Sequence, residues 1–317
     1  MARRNLLAAV LAISLVGPAI AQVPPPALVD PDVTLVEELV VTARLPGPAW
    51  WRVSDADTTV YVLGIPSIAP KHQQWDRLIF DRRLEGANAV ILPFNGLKVK
   101  LTGAPGAIMA LMRLRSSKPF EASLDPATRA RFATARTKLG QPPERYKTNS
   151  ALAAGLLLIS DYRDGVGLTT TDPIKLIRYL AQRKRVKIIQ RAYDLGPLIG
   201  AMSRTSAAAG RTCLDESLRE TEAGPGGVLA ASRAWAEGEV AAALQAERTY
   251  ERCLAAAPGA LAFDTRVKTD LMNDIIVALR TPGHAIAVVQ LRPLLAESGV
   301  LDRLEDAGYD VKTPGEE

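Results

Sequence analysis

The β-rich segments of this chain lie towards its two ends, and the stretch between them is helical in pattern. Near the start, β-branched and aromatic residues fill 50–53 and 59–64 on either side of Asp55-Ala56-Asp57, which reads as a hairpin. Apolar residues then recur at helical spacing (Trp75, Leu78, Ile79, Leu84) ahead of the apolar run 89–92. Strand, helix and strand in that order, with a short connection, predict a βαβ unit and a largely parallel sheet. At the far end, strand 285–289, helix 294–307, the helix stop Gly308 and strand 309–312 return to α/β.

The middle predicts helices over 104–114, 126–139, 144–161, 173–185, 194–202, 211–221, 229–236, 240–257 and 265–280. Asp125-Pro126 and Asp172-Pro173 each place an N-cap acid before a proline at the first helical position. One strand, 186–190 ("VKIIQ"), interrupts this run. The expected fold is therefore α/β and helix-rich. It is a single domain with a mostly parallel sheet built from N- and C-terminal segments around a helical middle.

Residues 1–21 read as an export signal. Arg3 and Arg4 precede the apolar run 6–16, and a small-x-small site places cleavage between Ala21 and Gln22. That run is shorter than the roughly 20 residues a membrane-spanning helix needs, and no later stretch is apolar for long enough. The expected location is periplasmic or secreted. Residues 22–48 read as a proline-rich flexible tail, with a short β-branched run at 39–42 that is an edge strand or linker. That run, in "EELVVTAR", also resembles the stretch before the plug of outer-membrane receptors, but this chain is too short and too helical to hold their barrel. The folded domain is then 49–313.

The formal net charge of +5 falls to about +3 once Arg3 and Arg4 leave with the signal. The basic residues are scattered, so nucleic acid is not an expected partner. Cys213 and Cys253 make an even count in an oxidising compartment, and both lie in helical stretches. A disulfide between them would staple neighbouring helices across about forty residues, worth roughly 3–4 kcal/mol. A redox or metal-thiolate pair would show CxxC spacing, which is absent.

Groups for catalysis are scarce. The two histidines, His72 and His284, are far apart and fit no metal-ligand spacing. Ser67, in "GIPSIAP", lacks the second glycine of a nucleophile elbow and reads as a loop residue. The stretch 163–173 has glycines and threonines before a helix but no GK[ST], so it reads as a loop and cap. Glu297, Asp302, Glu305 and Asp306 fall on the polar face of the last helix.

"WWRVSDADTTVYVLGIPSIAP" and "HAIAVVQLRPLLAESGVLDRLEDAGYDV" together resemble the opening and closing motifs of the TraB/GumN family, which includes the metazoan TIKI proteases. The likeness spans about 49–312, its specific parts being the two ends. It implies a metal site of two histidines assisted by carboxylates at strand ends, cleaving peptide or related bonds. Gly64 matches the first motif's glycine, but Ser67 stands in the place of its histidine. Pro93 takes the place of an acid in the strand after the first helix, and Arg191 that of another acidic position. Arg266 keeps an arginine of the last long helix. Gln290 and Pro293 fall on the second motif's glycine and histidine, and a shifted alignment puts Gln290 at the histidine.

A proline can neither ligate a metal nor move a proton, and losing several ligands together is not compensated by a neighbour. The resemblance therefore implies a non-catalytic binding or envelope-accessory protein with no cofactor, its partner an unidentified peptide or envelope protein. The alternative is a metal-dependent hydrolase with a rearranged site that recruits His72, Asp76 or Glu85.

Overall fold

A hairpin opens the domain. β1 (Trp50–Ser54) and β2 (Thr58–Ile65) pair antiparallel, with Trp50 opposite Leu63 and Ser54 opposite Thr59. The Asp55 carboxylate closes the turn by accepting the N–H groups of Asp57 and Thr58 at 3.2 and 2.9 Å. The structure, a computed structural model, describes residues 32–43, 45–94, 97–98, 108–109, 112, 119–147, 150–194, 196–246, 248–256 and 259–316. The signal segment 1–21, its cleavage point between Ala21 and Gln22, and most of helix 104–114 lie outside the described residues.

After the hairpin come β3 (Ala69–Pro70), α1 (Leu78–Leu84), β4 (Ala89–Leu92) and β5 (Leu97–Lys98). The middle holds α2 (Pro126–Lys138), α3 (Ala151–Gly165), β6 (Leu168–Thr169), α4 (Ile174–Arg183), β7 (Lys187–Gln190) and β8 (Tyr193–Asp194). Then follow α5 (Gly196–Met202), α6 (Ala207–Ala223), α7 (Gly226–Ala236), α8 (Val240–Ala243), α9 (Thr249–Ala255) and α10 (Ala260–Leu279). The chain closes with β9 (Gly283–Gln290), α11 (Leu291–Leu295), α12 (Val300–Asp306) and β10 (Asp310–Lys312).

The six-stranded sheet has the order β10-β1-β2-β9-β4-β7. β2, β9, β4 and β7 run parallel, while at one side β1 runs antiparallel to both β2 and β10. β9 reaches the centre of a sheet begun by the N-terminal half, so the two ends of the domain share it. Its stretch Ala285–Val289 is buried throughout, as a central parallel strand covered on both faces must be. Trp51, Phe80, Leu63 and Ile91 pack with it in the main core.

A second core gathers Phe132, Tyr146, Leu158, Leu214 and Leu218 around the crossing of α3 and α6. There a Cβ on Gly155 would lie 3.0 Å from Leu214 Cα, and one on Gly210 would lie 3.0 Å from Leu152 N. The two helices meet backbone to backbone because glycines stand at the contact. Arg163 of α3 grips Glu220 of α6 through two hydrogen bonds of 2.8 and 3.0 Å, both residues buried. Cys213 and Cys253 stand at disulfide-bonding distance, Cα atoms 5.0 Å apart, and join α6 to α9.

Several boundaries differ from the pattern in the sequence. Segment 144–161 splits into a 3-10 turn at Pro143–Tyr146 and α3, because Ser150 caps a new helix by accepting Ala153 N–H. Segment 240–257 breaks into α8 and α9, and 294–307 into α11 and α12. The second break lies where a Cβ on Gly299 would sit 2.5 Å from the Ala296 carbonyl. Asp172 does not cap α4; its carboxylate accepts the His72 N–H at 2.7 Å instead.

Residues 32–43 are not a free tail either. Leu39 is buried in the main core and its carbonyl accepts the Trp51 indole N–H at 3.2 Å. Glu37–Leu39 is a 3-10 turn, and Thr42 makes an isolated bridge to Glu239. Leu35, Val36, Leu39 and Val40 provide apolar area that lies against the domain rather than in water.

Candidate functional site

The parallel strands end together. Ile65 of β2 pairs with Gln290 of β9, and Leu92 of β4 pairs with Gln190 of β7. In an open α/β sheet this carboxyl edge is where ligands bind. Ser67, Pro93, Arg191, Gln290 and Pro293 all sit at or just past it.

Gly64 earns its place by packing. A Cβ there would meet Leu291 Cδ2 at 2.4 Å and Trp51 Cζ3 at 2.8 Å. Its carbonyl oxygen accepts the Trp235 indole N–H at 2.7 Å. Ser67 is half-buried between the buried Pro66 and Ile68, and Ile68 packs with Leu168 and Val228. Gln290 ends β9, and Pro293 lies inside the short helix α11.

On the other side of the edge, the Pro93 carbonyl accepts from Gln190 Nε2 at 2.6 Å, and Gln190 Oε1 accepts from Arg178 at 2.6 Å. Arg191 forms two hydrogen bonds to Asp274 at 2.7 and 2.6 Å and lies 3.8 Å from Asp270. Arg266 lies 3.8 Å from the same Asp270 and over the Tyr193 ring, so these two arginines share one acid. Tyr193 donates to Asp270 at 2.9 Å; burial first, then this bond, pushes its phenol up to about 12. Phe94, Tyr193 and Phe263 stack edge-to-face with centroids 5.3–6.0 Å apart.

These side chains do not fit a metal ion. Pro93 and Pro293 have no donor, and Ser67 and Gln290 offer only neutral oxygens. Among the described residues, no group of three or more His, Cys, Asp or Glu side chains could hold a metal.

The histidines are separated by the sheet. His284 pairs with Thr59 at the opposite edge, where its Nε2 lies 2.8 Å from the Arg83 carbonyl. Glu85 follows α1 at that same far edge and pairs with Lys184 at 3.4 Å. Asp76 is occupied with the start of α1, accepting the Leu78 N–H at 2.8 Å. His72, with φ of 63° in the loop between β3 and α1, lines a groove of about 670 Å³. Lys71, Trp75, Asp172, Lys175 and Tyr179 share this groove, and the Trp75 ring packs tilted against Trp235, centroids 5.7 Å apart.

One cluster gave no motif. Asp32 is buried against Lys268 and Arg248. Lys268 stands in register with the apolar Leu271, Met272, Ile275 and Leu279 of α10, a charge within a helix's inward stripe. That misplaced lysine is the signal from which a buried acid partner could have been sought.

The fold and edge thus define an α/β protein whose parallel strands end at a site, with both recognisable motifs meeting there through the Ile65–Gln290 pairing. The chain matches the TraB/PrgY/gumN family over residues 49–313, and belongs to that family. No curated protein and no solved structure matches it. Among the described residues, no helix is long and apolar enough to cross a membrane.

Proposed function

We propose that this chain is an exported, non-catalytic TraB-family protein that binds a peptide or an envelope protein rather than cleaving one. The observation that carries this reading is the chemistry of the carboxyl edge. Ser67, Pro93, Gln290 and Pro293 supply no charged ligand, and Arg191, where the family resemblance implies an acid, is committed to Asp274. The edge is a set of packing and hydrogen-bond contacts, so its residues hold the scaffold shut instead of activating a water.

Export is supported by the signal pattern at 1–21 and by the cysteine pair that an oxidising compartment maintains. The groove beside Trp75 gives a ligand a place to rest, with lysines, an acid and an exposed Tyr179 on its walls.

Elemental analysis tests this reading. Purified mature protein, incubated with zinc or manganese and desalted, should retain less than one-tenth of an equivalent of metal and cleave no peptide in a pooled-substrate assay. Stoichiometric metal that disappears in Ser67→Ala would overturn it.

A further inference from the structure

The groove beside His72 has two walls. One is the loop 71–77 between β3 and α1, and the other is the chain that leads through β6 into α4. The pairing of β3 with β6 joins them, and further contacts fix them. Lys71 N–H donates to the Gly167 carbonyl at 2.8 Å, His72 N–H donates to the Asp172 carboxylate at 2.7 Å, and Lys71 Nζ pairs with Asp164 at 2.7 Å. His72 keeps a left-handed φ of 63°, which a residue with a side chain holds only where its neighbours impose it. The groove is therefore built in advance, and binding does not have to order it.

Its charge is uneven. Lys71, Arg77 and Lys175 line it, against Asp172 and the Asp164 that pairs with Lys71. Three cations against two acids leave one positive charge in excess. Among the described residues, Arg77 and Lys175 have no acid partner. Lys175 is exposed and Arg77 half-buried in the open groove, so each can gain an anion without giving up a contact. A cleft with excess charge concentrates ligands of the opposite sign.

The rest of the lining is aromatic and apolar. Trp75 meets Phe80 edge-to-face and Trp235 at a tilt, centroids 5.8 and 5.7 Å apart, which holds its half-exposed ring in place. On α4, Tyr179 is 52% exposed and follows Lys175 by four residues, so a ring and a free cation are neighbours on one helix face. Sugar hydroxyls would call for fixed polar groups instead. The amides of Gln73 and Gln74 are turned to their own loop, donating to the Gln74 and His72 carbonyls at 2.8 and 3.2 Å.

We infer that this groove takes a peptide segment in which a Glu or Asp lies beside a Leu or Phe, its carboxylate on Lys175 and Arg77 and its apolar side chain on Trp75 and Tyr179. A volume of about 670 Å³ is that of a small-ligand pocket and holds a few residues of such a segment. The inference rests on the reading of this chain as a peptide binder and adds what that peptide must carry.

The blocked peptides Ser-Leu-Glu-Leu-Ser and Ser-Leu-Gln-Leu-Ser, titrated into isotope-labelled mature protein at about 50 mM salt, test it through amide chemical shifts. The Glu peptide should move the signals of 71–77 and 172–179 and bind at least tenfold more tightly than the Gln peptide. Lys175→Glu should remove that preference, with Arg77→Gln as the second variant should the first not fold. Lys138→Glu, the same charge change at an exposed position of α2, should keep it. Tyr179→Ala should weaken both peptides alike. Unmoved signals with the Glu peptide, equal affinity of the two peptides, loss of the preference in Lys138→Glu, unchanged binding in Tyr179→Ala, or tighter binding of a galacturonate trimer would each overturn the inference. Mass spectra of the recovered peptide keep the two readings apart. A Glu peptide that binds and is cut overturns the non-catalytic reading alone, and one that neither binds nor is cut overturns this inference alone.

Discussion

Trp235 donates its indole N–H to the carbonyl oxygen of Gly64 over 2.7 Å, tying α7 in the helical middle to the carboxyl end of β2. The glycine is needed on its other side as well, where Leu291 and Trp51 leave no room for a Cβ. The motif glycine is thereby accounted for by packing, with no metal required to explain it.

Gly64→Ala should lower stability by about 1–3 kcal/mol, the usual cost of forcing a methyl into a filled core. Leu291 can turn away, but the fully buried Trp51 ring cannot. Trp235→Phe should cost about 1–3 kcal/mol through loss of the donor to Gly64. Urea midpoints at unchanged m-value measure both.

The Arg163–Glu220 pair links α3 to α6 with side-chain exposures of 8% and 2%. Removing one partner strips a buried charge of this two-bond pairing, so Glu220→Leu alone should cost about 3–5 kcal/mol. The double variant Arg163→Met with Glu220→Leu should recover most of that loss. A double-mutant cycle in urea detects it, and strictly additive losses would show that the two charges do not depend on each other.

Alternating and apolar runs made the hairpin, the βαβ unit and the shared sheet legible, since periods of two and of 3.6 residues are properties of single segments. Helix breaks were less so. Ser150 and Ser206 are N-caps whose choice over nearby candidates depends on which turn the core accepts. Asp172 carries the capping signature, yet its carboxylate is engaged by His72 from a loop 100 positions earlier. The docking of residues 32–39 depends on Lys268, Arg248 and Arg292, which only the folded chain gathers. For the strand edge, the residue types at Ser67, Pro93 and Pro293 were readable at once, whereas the engagement of Arg191 with Asp274 rests on a contact with α10.

The bond between Cys213 and Cys253 closes a span of 40 residues that includes α7 and α8. Constraining the unfolded chain over that length is worth roughly 3–4 kcal/mol. Reduction should therefore lower the melting temperature, and Cys213→Ala with Cys253→Ala should reproduce the reduced value. Hydrogen exchange should rise first in α9, the short helix held by the bond. An unchanged melting temperature on reduction would show that packing of α9 against α6 suffices without it.

Asp161 near the end of α3 accepts from Arg145 at 2.8 and 2.5 Å and from the Tyr146 hydroxyl at 2.8 Å. Burial alone would raise its pKa, but the hydrogen bonds from Arg145 and Tyr146 outweigh it and hold the carboxyl below its ordinary 3.8. Burial, followed by the bond to Asp161, pushes the Tyr146 phenol up, so this hydroxyl stays a donor. A carboxyl with a depressed folded pKa binds fewer protons folded than unfolded. Its contribution is complete above the unfolded pKa of about 4 and is lost as pH falls through the folded value. Asp161→Asn should then destabilise the protein at pH 7, and the gap to wild type should narrow steadily below pH about 4. Unfolding free energies of both proteins from pH 7 to pH 3 measure this. A gap that stays constant across the range would place the stabilisation in hydrogen-bond geometry and remove the charge of Asp161 from the account.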